Sequence, residues 1–289
     1  MEPFTFAIIA AAATFTTGAL LHEIQSNLVY PAKHRKEAHH GVAPLISEDG
    51  IPFREATLIT DDNVKIRTYV CKPINEEEAR KRPTILVLHG NRGNTGYQSK
   101  AISKFYHELK CNVVLPSYRG YDRSEGKSTE AGIKIDAQTF LDYIKKHTVL
   151  RDTKLIVYGR SLGGAVGIDL VSKNEDKIDA LIVENTFLSI PKLLPTYFYP
   201  IRYLTVFCTQ IWSSELSICE IKQTPILFLS SCCDKVVPQE HMKTLYELAT
   251  TKGIKQWLEF PNGKHANAFH QPGFFETIEE FLSKTIKNT

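Results

Sequence analysis

Val157–Ala165 reads VYGRSLGGA and sets a serine two residues from a glycine on either side, directly after an apolar run. A serine on a sharp strand-to-helix turn takes strained backbone angles, so the positions two before and two after it, Gly159 and Gly163, must lack a Cβ. Such a turn lifts the Ser161 hydroxyl above the edge of a sheet. The helix opening at Leu162 offers unpaired N–H groups and a positive dipole to a developing oxyanion. A chain of this length yields about 0.1 such matches by chance. Ser161 is therefore read as a nucleophile. A plain helix N-cap serine would leave the neighbouring glycines unexplained.

A serine nucleophile needs a base to take its proton and a carboxylate to orient that base. Folds that build this elbow supply them in the order serine, acid, histidine. Asp234 in CDKVVP follows the apolar run TPILFLSS and is the leading acid, with Glu184 at the end of DALIVEN as runner-up. The alternative role for Asp234 is to cap the helix starting near Pro238. His265 in PNGKHANAF, after KQWLEF and before the last helix, is the leading base; His270 is the substitute, and His241 reads as a solvent-facing helix residue. The second oxyanion donor falls in LVLHGNRGNTG, where the Asn91 N–H pairs with that of Leu162, and His89 braces the loop. Tyr118 and Arg119 are expected to line the substrate side. GNRGNTG lacks the GK[ST] ending of a phosphate loop.

These loops need a sheet to hold them. TILVLHG, CNVVLPS, TKLIVYG, DALIVEN and TPILFLSS are short apolar runs of the kind buried on both faces of a parallel sheet, and KQWLEF is a sixth strand near the end. Helix-period segments lie between them, including Ser128–Lys146, Gln239–Leu248 and Gly273–Lys287. ATLITDD and NVKIRTYVC form a hairpin through Asp61-Asp62-Asn63, and Asn75–Arg82 reads as a charged loop. The alternation predicts an α/β fold with a doubly wound, mostly parallel sheet over residues 51–289. Thr186–Gln223 is longer than a helix connection and dense in aromatics and prolines. A small aromatic-rich cap over about 188–222 is expected there, against the alternative of an amphipathic helix covering the sheet edge.

HGNRGN, SYRGYDRSEG, GRSLGGA, ENTFLSI and the Asp234 and His265 loops resemble the α/β-hydrolase superfamily. More narrowly they resemble its fungal bud-emergence (Bem) type, relatives of the mammalian alpha/beta hydrolase domain-containing protein 13. The likeness runs along nearly the whole chain. It implies a membrane-anchored serine hydrolase with Ser161, Asp234 and His265 as triad, and related proteins include thioesterases that remove palmitate from protein cysteines. Two positions depart from the pattern: Ser231-Cys232-Cys233 stands where relatives often have glycine before the acid, and Ala266 stands where they often have asparagine after the histidine.

With 43% hydrophobic and 23% charged residues the 289-residue chain is ordinary globular material, and 35 basic against 32 acidic residues leave a formal charge of only +3. No basic run with interleaved aromatics marks a nucleic-acid surface. The six cysteines form no CxxC pair and no zinc-ligand spacing, so neither a metal nor a cofactor is expected. Cys71 and Cys111 read as small hydrophobes, and Cys232-Cys233 as two half-buried loop thiols, with a vicinal redox pair as the alternative. Phe4–Leu21 is free of charge over 18 residues, roughly 27 Å as a helix. Its start at Met1-Glu2-Pro3 lacks a basic n-region, so residues 1–25 are read as a retained membrane anchor and 26–50 as a linker; a buried or interfacial helix is the alternative. Lys33, Arg35 and Lys36 after it favour a cytoplasmic domain.

Hydrolysis of a carboxylic ester or acyl thioester, with a small or lipid-like acyl substrate, is the leading function. A peptidase would need a cation such as Arg119 or Arg160 to grip a peptide terminus. A membrane-tethered interaction protein on the same scaffold would normally have lost part of the triad.

Overall fold

Side chains alternate between the two faces of every central strand, and this alternation organises the molecule. The structure, a computed structural model, describes residues 21–31, 49–93, 97–197 and 199–286. All but the last residue of the expected anchor Phe4–Leu21, and residues 32–48 of the expected linker, lie outside the described residues. Among the described residues no helix is long and apolar enough to cross a membrane.

Eight strands form one sheet: β1 (Phe53–Ile59), β2 (Lys65–Cys71), β3 (Thr84–Leu88), β4 (Asn112–Ser117), β5 (Leu155–Arg160), β6 (Ala180–Glu184), β7 (Ile226–Ser231) and β8 (Lys255–Phe260). Their order is β1-β2-β4-β3-β5-β6-β7-β8. β3 to β8 run parallel, while β1 and β2 pair antiparallel with each other and β2 pairs antiparallel with β4. The five apolar runs and KQWLEF are the six parallel strands. Asn63, in a left-handed conformation (φ 62°), turns the predicted hairpin.

Leu86, Leu88, Val157, Leu181, Val183 and Phe228 face one core; Ile85, Val87, Ile156, Tyr158, Ile182 and Leu227 face the other. This period of two, with both faces apolar, is what a sheet covered on both sides requires. In chain order the helices are α1 (helical residues 21–29), α2 (Glu76–Lys81), α3 (Tyr97–His107), α4 (Glu130–Lys146), α5 (Leu162–Lys173), α6 (Ile190–Tyr197), α7 (Ser214–Glu220), α8 (Gln239–Leu248) and α9 (Phe274–Thr285). Phe140, Ile168, Ile218 and Leu245 bring α4, α5, α7 and α8 onto the first face. Phe105 and Phe281 bring α3 and α9 onto the second.

The segment expected as a charged loop is largely helical. Asn75 caps α2 by accepting the N–H groups of Glu77 and Glu78 at 2.9 and 3.2 Å, and three glutamates follow in the first turn, where the helix dipole favours them. The long connection after β6 divides. Its far end, α7, is core, with Ile218 fully buried. Its near end, α6 and the 3-10 segment Tyr199–Phe207, leaves Tyr197, Tyr203, Leu204, Val206 and Phe207 exposed.

Candidate active site

The chain runs from β3 to β4 on one side and returns to β5 on the other, so β3 and β5 are neighbours whose connections leave in opposite directions. Loops at the carboxyl ends of such a pair bound a crevice. Ser161 follows β5 there and the His89–Asn91 loop follows β3.

Ser161 sits at φ 55°, ψ −121°, outside the regions open to ordinary L-residues. The surroundings force this. A Cβ on Gly159 would collide with the backbone of Gly163, and one on Gly163 with the carbonyl of Leu88. Only glycine at both positions lets strand, elbow and helix stack this closely. The Ser161 N–H donates to the Glu184 carbonyl at 2.9 Å, and the Thr186 hydroxyl donates to the Ser161 carbonyl at 2.7 Å. Backbone geometry is thus fixed from both sides while the Ser161 side chain stays free to react.

His265 approaches from the loop after β8, its Nε2 3.1 Å from Ser161 Oγ and its Nδ1 2.7 Å from Asp234 Oδ2. Because the carboxylate oxygen accepts, Nδ1 carries the proton and Nε2 faces the serine hydroxyl with a free lone pair. Asp234 also accepts the N–H groups of Val236 and Val237 through Oδ1, at 2.7 and 2.9 Å. The two roles weighed for this residue, orienting the base and capping the turn before α8, coexist on its two oxygens. Its side chain is almost wholly buried while that of His265 is 20% exposed, which leaves the imidazole open to a substrate and the carboxylate shielded.

Asn185, which the sequence did not single out, and Asn267, the asparagine one place past Ala266, complete the geometry. Asn185, in the left-handed region at φ 47°, accepts the Ser231 N–H at 2.8 Å and donates to the Ser231 hydroxyl and the His265 carbonyl. It ties the end of β6 to the acid strand and the histidine loop together. The signal is its place directly after an apolar strand, in a conformation asparagine tolerates better than most residues. Asn267 Oδ1 accepts the Lys264 N–H at 2.6 Å and braces the same loop two residues beyond His265.

Leu162 opens α5, so its N–H has no partner within the helix. Gly90 abuts the elbow, a Cβ there lying 3.6 Å from that of Ser161. Asn91 follows it, its carbonyl accepting the Tyr121 hydroxyl at 2.9 Å. His89 is fully buried: Nδ1 donates to the Gly90 carbonyl at 2.8 Å, and Nε2 accepts the Tyr118 N–H at 3.4 Å. Burial pushes its pKa down to about 4, so it stays neutral as a brace.

Several expectations are corrected. Tyr118 does not line the substrate side; it is fully buried, its ring 4.0 Å from that of His89. Arg119 does not either. Its guanidinium is held between Asp136 and Asp62, with Nε 2.9 Å from Asp136 Oδ1 and Nη1 2.6 Å from Asp62 Oδ2. His241 does not face solvent: it is buried, and its Nδ1 accepts the Leu188 N–H at 3.2 Å. His270 is exposed and stacks on Phe269. Glu184 is buried, bonded by the Tyr158 hydroxyl, and desolvation raises its pKa. Cys232 and Cys233 are free and exposed rather than half-buried, whereas Cys71 and Cys111 are buried with thiols pushed up to about 12. Among the described residues no cluster of three or more His, Cys, Asp or Glu is placed to hold a metal ion.

A two-sided parallel sheet with a strained serine elbow at its carboxyl edge and His–Asp beside it defines the α/β-hydrolase class of fold. Residues 83–207 match the family described as alpha/beta hydrolase fold. The esterase Pf2001 of Pyrococcus furiosus has a similar structure, with a TM-score of 0.67 at 18% identity over 83% of this chain and 96% of that one. Protein bem46 of Schizosaccharomyces pombe is 39% identical over 96% of this chain and 92% of its own length, and the uncharacterized membrane protein YNL320W of Saccharomyces cerevisiae is 38% identical over 94% and 93%. The chain belongs to the Bem46-type α/β hydrolases.

Proposed function

We propose that the protein is a serine hydrolase cleaving a carboxylic ester or acyl thioester through an acyl-enzyme on Ser161. The observation that supports this most is the continuous chain of contacts from Ser161 Oγ through both nitrogens of His265 to Asp234. Nε2 takes the hydroxyl proton as Oγ attacks the carbonyl carbon, then returns it to the departing alcohol or thiol. Asp234 keeps Nδ1 protonated and stabilises the transient imidazolium. Water then repeats the sequence on the acyl-enzyme. The N–H groups of Leu162 and Asn91 receive the oxyanion in this reading, each worth about two to three orders of magnitude in rate.

Phe4–Leu21 is proposed as a retained anchor with the domain on the cytoplasmic side, and α6 with Tyr199–Phe207 as a cap. Tyr197 supports the cap, since its hydroxyl donates at 2.5 Å to the carbonyl of Val236, two residues past Asp234. A lipid-like acyl chain suits an anchored enzyme covered by aromatics. The peptidase reading has less support, because Arg119 is taken up by two carboxylates and Arg160 lies beside buried Glu184.

A fluorophosphonate probe tests the nucleophile. Wild-type protein is expected to label and Ser161→Ala to stay blank; equal labelling of both removes Ser161 from the role. A series of p-nitrophenyl esters of rising chain length, run beside an acyl thioester, then defines the substrate class.

A further inference from the structure

Half of the large apolar side chains left exposed among the described residues crowd into two short segments that pack on each other: Ile24 and Leu28 of α1, and Tyr203, Leu204, Val206 and Phe207 of the 3-10 segment. Leu28, Leu204, Val206 and Phe207 each keep between 59% and 80% of their surface in the open. Between the segments runs an apolar groove of about 300 Å³, walled by the helical stripe Leu21, Ile24 and Leu28 on one side and by Leu194 and Phe207 on the other. The two segments form one built unit. Gln25 donates to the Phe207 carbonyl at 2.8 Å and accepts the Thr209 N–H at 2.6 Å. Behind it the buried Trp212 indole donates to the Tyr30 hydroxyl, which donates onward to Gln210. A soluble surface gains nothing by fixing so much apolar area outward.

We propose that this face lies in the surface of a phospholipid bilayer with anionic headgroups. Three observations select a bilayer over a protein partner. The uncharged segment Phe4–Leu21 ends at Leu21, and Leu21 walls the groove, so chain suited to an apolar phase joins the domain at this face. The face carries the side-chain types of an interface: exposed aliphatics beside Tyr203, whose ring has the Arg202 guanidinium 4.6 Å over it. Finally, Lys33, Arg35 and Lys36 follow within seven residues of α1 and supply charge for anionic headgroups.

The consequence, which rests on the hydrolase reading above, concerns access. α6 walls the groove through Ile190 and Leu194 and ends at Tyr197, bonded to the acid loop. Its eight residues span roughly 12 Å. One short helix therefore joins the apolar groove to the loop that carries Asp234, and an acyl chain enters from the leaflet rather than from water.

The test uses full-length protein in vesicles of phosphatidylcholine and phosphatidylserine, with and without brominated acyl chains. Phe207→Trp and, separately, Val206→Trp place a fluorophore on the face. Ile74→Trp places one on the exposed loop after β2, at the opposite end of the sheet. A face sunk roughly 5–10 Å into the headgroup boundary predicts at least about twofold quenching by bromine at 206 and 207, over the native Trp212 and Trp257 signal, and none at 74. Equal quenching at all three positions, or none at 206 and 207, overturns the proposal; in the second case residues 1–20 or a protein cover the face. No substrate is present in this measurement, so it decides the bilayer question even if Ser161 proves inert.

Discussion

Asp234 divides its two oxygens between a structural and an orienting duty, and substitution separates them. In Asp234→Asn the side-chain oxygen keeps accepting the Val236 and Val237 N–H groups, so the turn survives. The amide then turns an N–H toward His265 Nδ1, favouring the tautomer that points a proton at Ser161. We expect kcat on a p-nitrophenyl ester to fall about 10⁴-fold, the scale seen when a triad carboxylate is so replaced, with thermal stability little changed; a loss under about tenfold would mean that Asp234 does not orient the base. His89 gives a second residue-level prediction. Its folded pKa of about 4 lies below the 6.5 of a free histidine, so the unfolded chain binds more protons between those values. Stability is complete above about pH 6.5 and declines as pH falls toward 4, by about 3 kcal/mol at most. Urea melts at stepped pH check this, and His89→Gln is expected to flatten the slope across that window; an unchanged slope assigns the titration elsewhere. Ser161, Asp234 and His265 were legible because each follows a recognisable strand at the carboxyl edge. His241 was misread because one helical position does not say which face is buried, although its i,i+4 relation to Leu245 carried that information.

Arg119 fastens elements rather than substrate. Its guanidinium joins Asp62 in the β1–β2 turn to Asp136 on α4, and its own N–H donates to Asp136 at 2.7 Å. The partners differ in burial: the Asp136 side chain is inaccessible, whereas 39% of the Asp62 side chain is exposed. Asp136→Ala should therefore cost about 3–5 kcal/mol by leaving a buried cation short of a partner, and Asp62→Ala about 1 kcal/mol or less, since water screens that side. Chemical denaturation of the two variants checks the ranking, and the reverse order would show that the hairpin, not the helix, is the main fastening. Arg119 also holds the Asp62 carboxyl well below the usual carboxylate range. The contribution of Asp62 is thus intact at neutral pH and disappears only as acid protonates that carboxyl, below the ordinary value near 4. SYRGY was legible as a group of functional-looking residues. The burial of its tyrosine and arginine was not, because their partners come from segments far away in the chain. α2 hid for a different reason: six residues are too few to show a period, and the capping asparagine before three glutamates was its only signal.

At the scale of the molecule, the strands and the longer helices were readable and the strand order was not. Apolar runs of five or six residues declare strands buried on both faces, whereas the placement of β4 outside β3, and of the hairpin beyond β4, follows from crossovers that no local pattern encodes. The same layering predicts how stability is distributed. Every residue of β3, β6 and β7 is buried, as are five of six in β5, so their hydrogen bonds break only when both cores come apart. Amide exchange there should approach the global limit, of the order of 5–15 kcal/mol for a domain. The 3-10 segment Tyr199–Phe207 presents exposed apolar side chains and rests on α1 through Gln25, so its amides should exchange by local opening, orders of magnitude sooner. Hydrogen-exchange mass spectrometry in detergent gives this contrast directly. Moved into anionic vesicles, the same protein should gain protection over residues 21–29 and 199–207 and nowhere in the sheet, because a bilayer buries that face without touching either core. Protection of 199–207 equal to that of β5 in both media would instead make this segment part of the folded core, with no role left for it as a mobile cover.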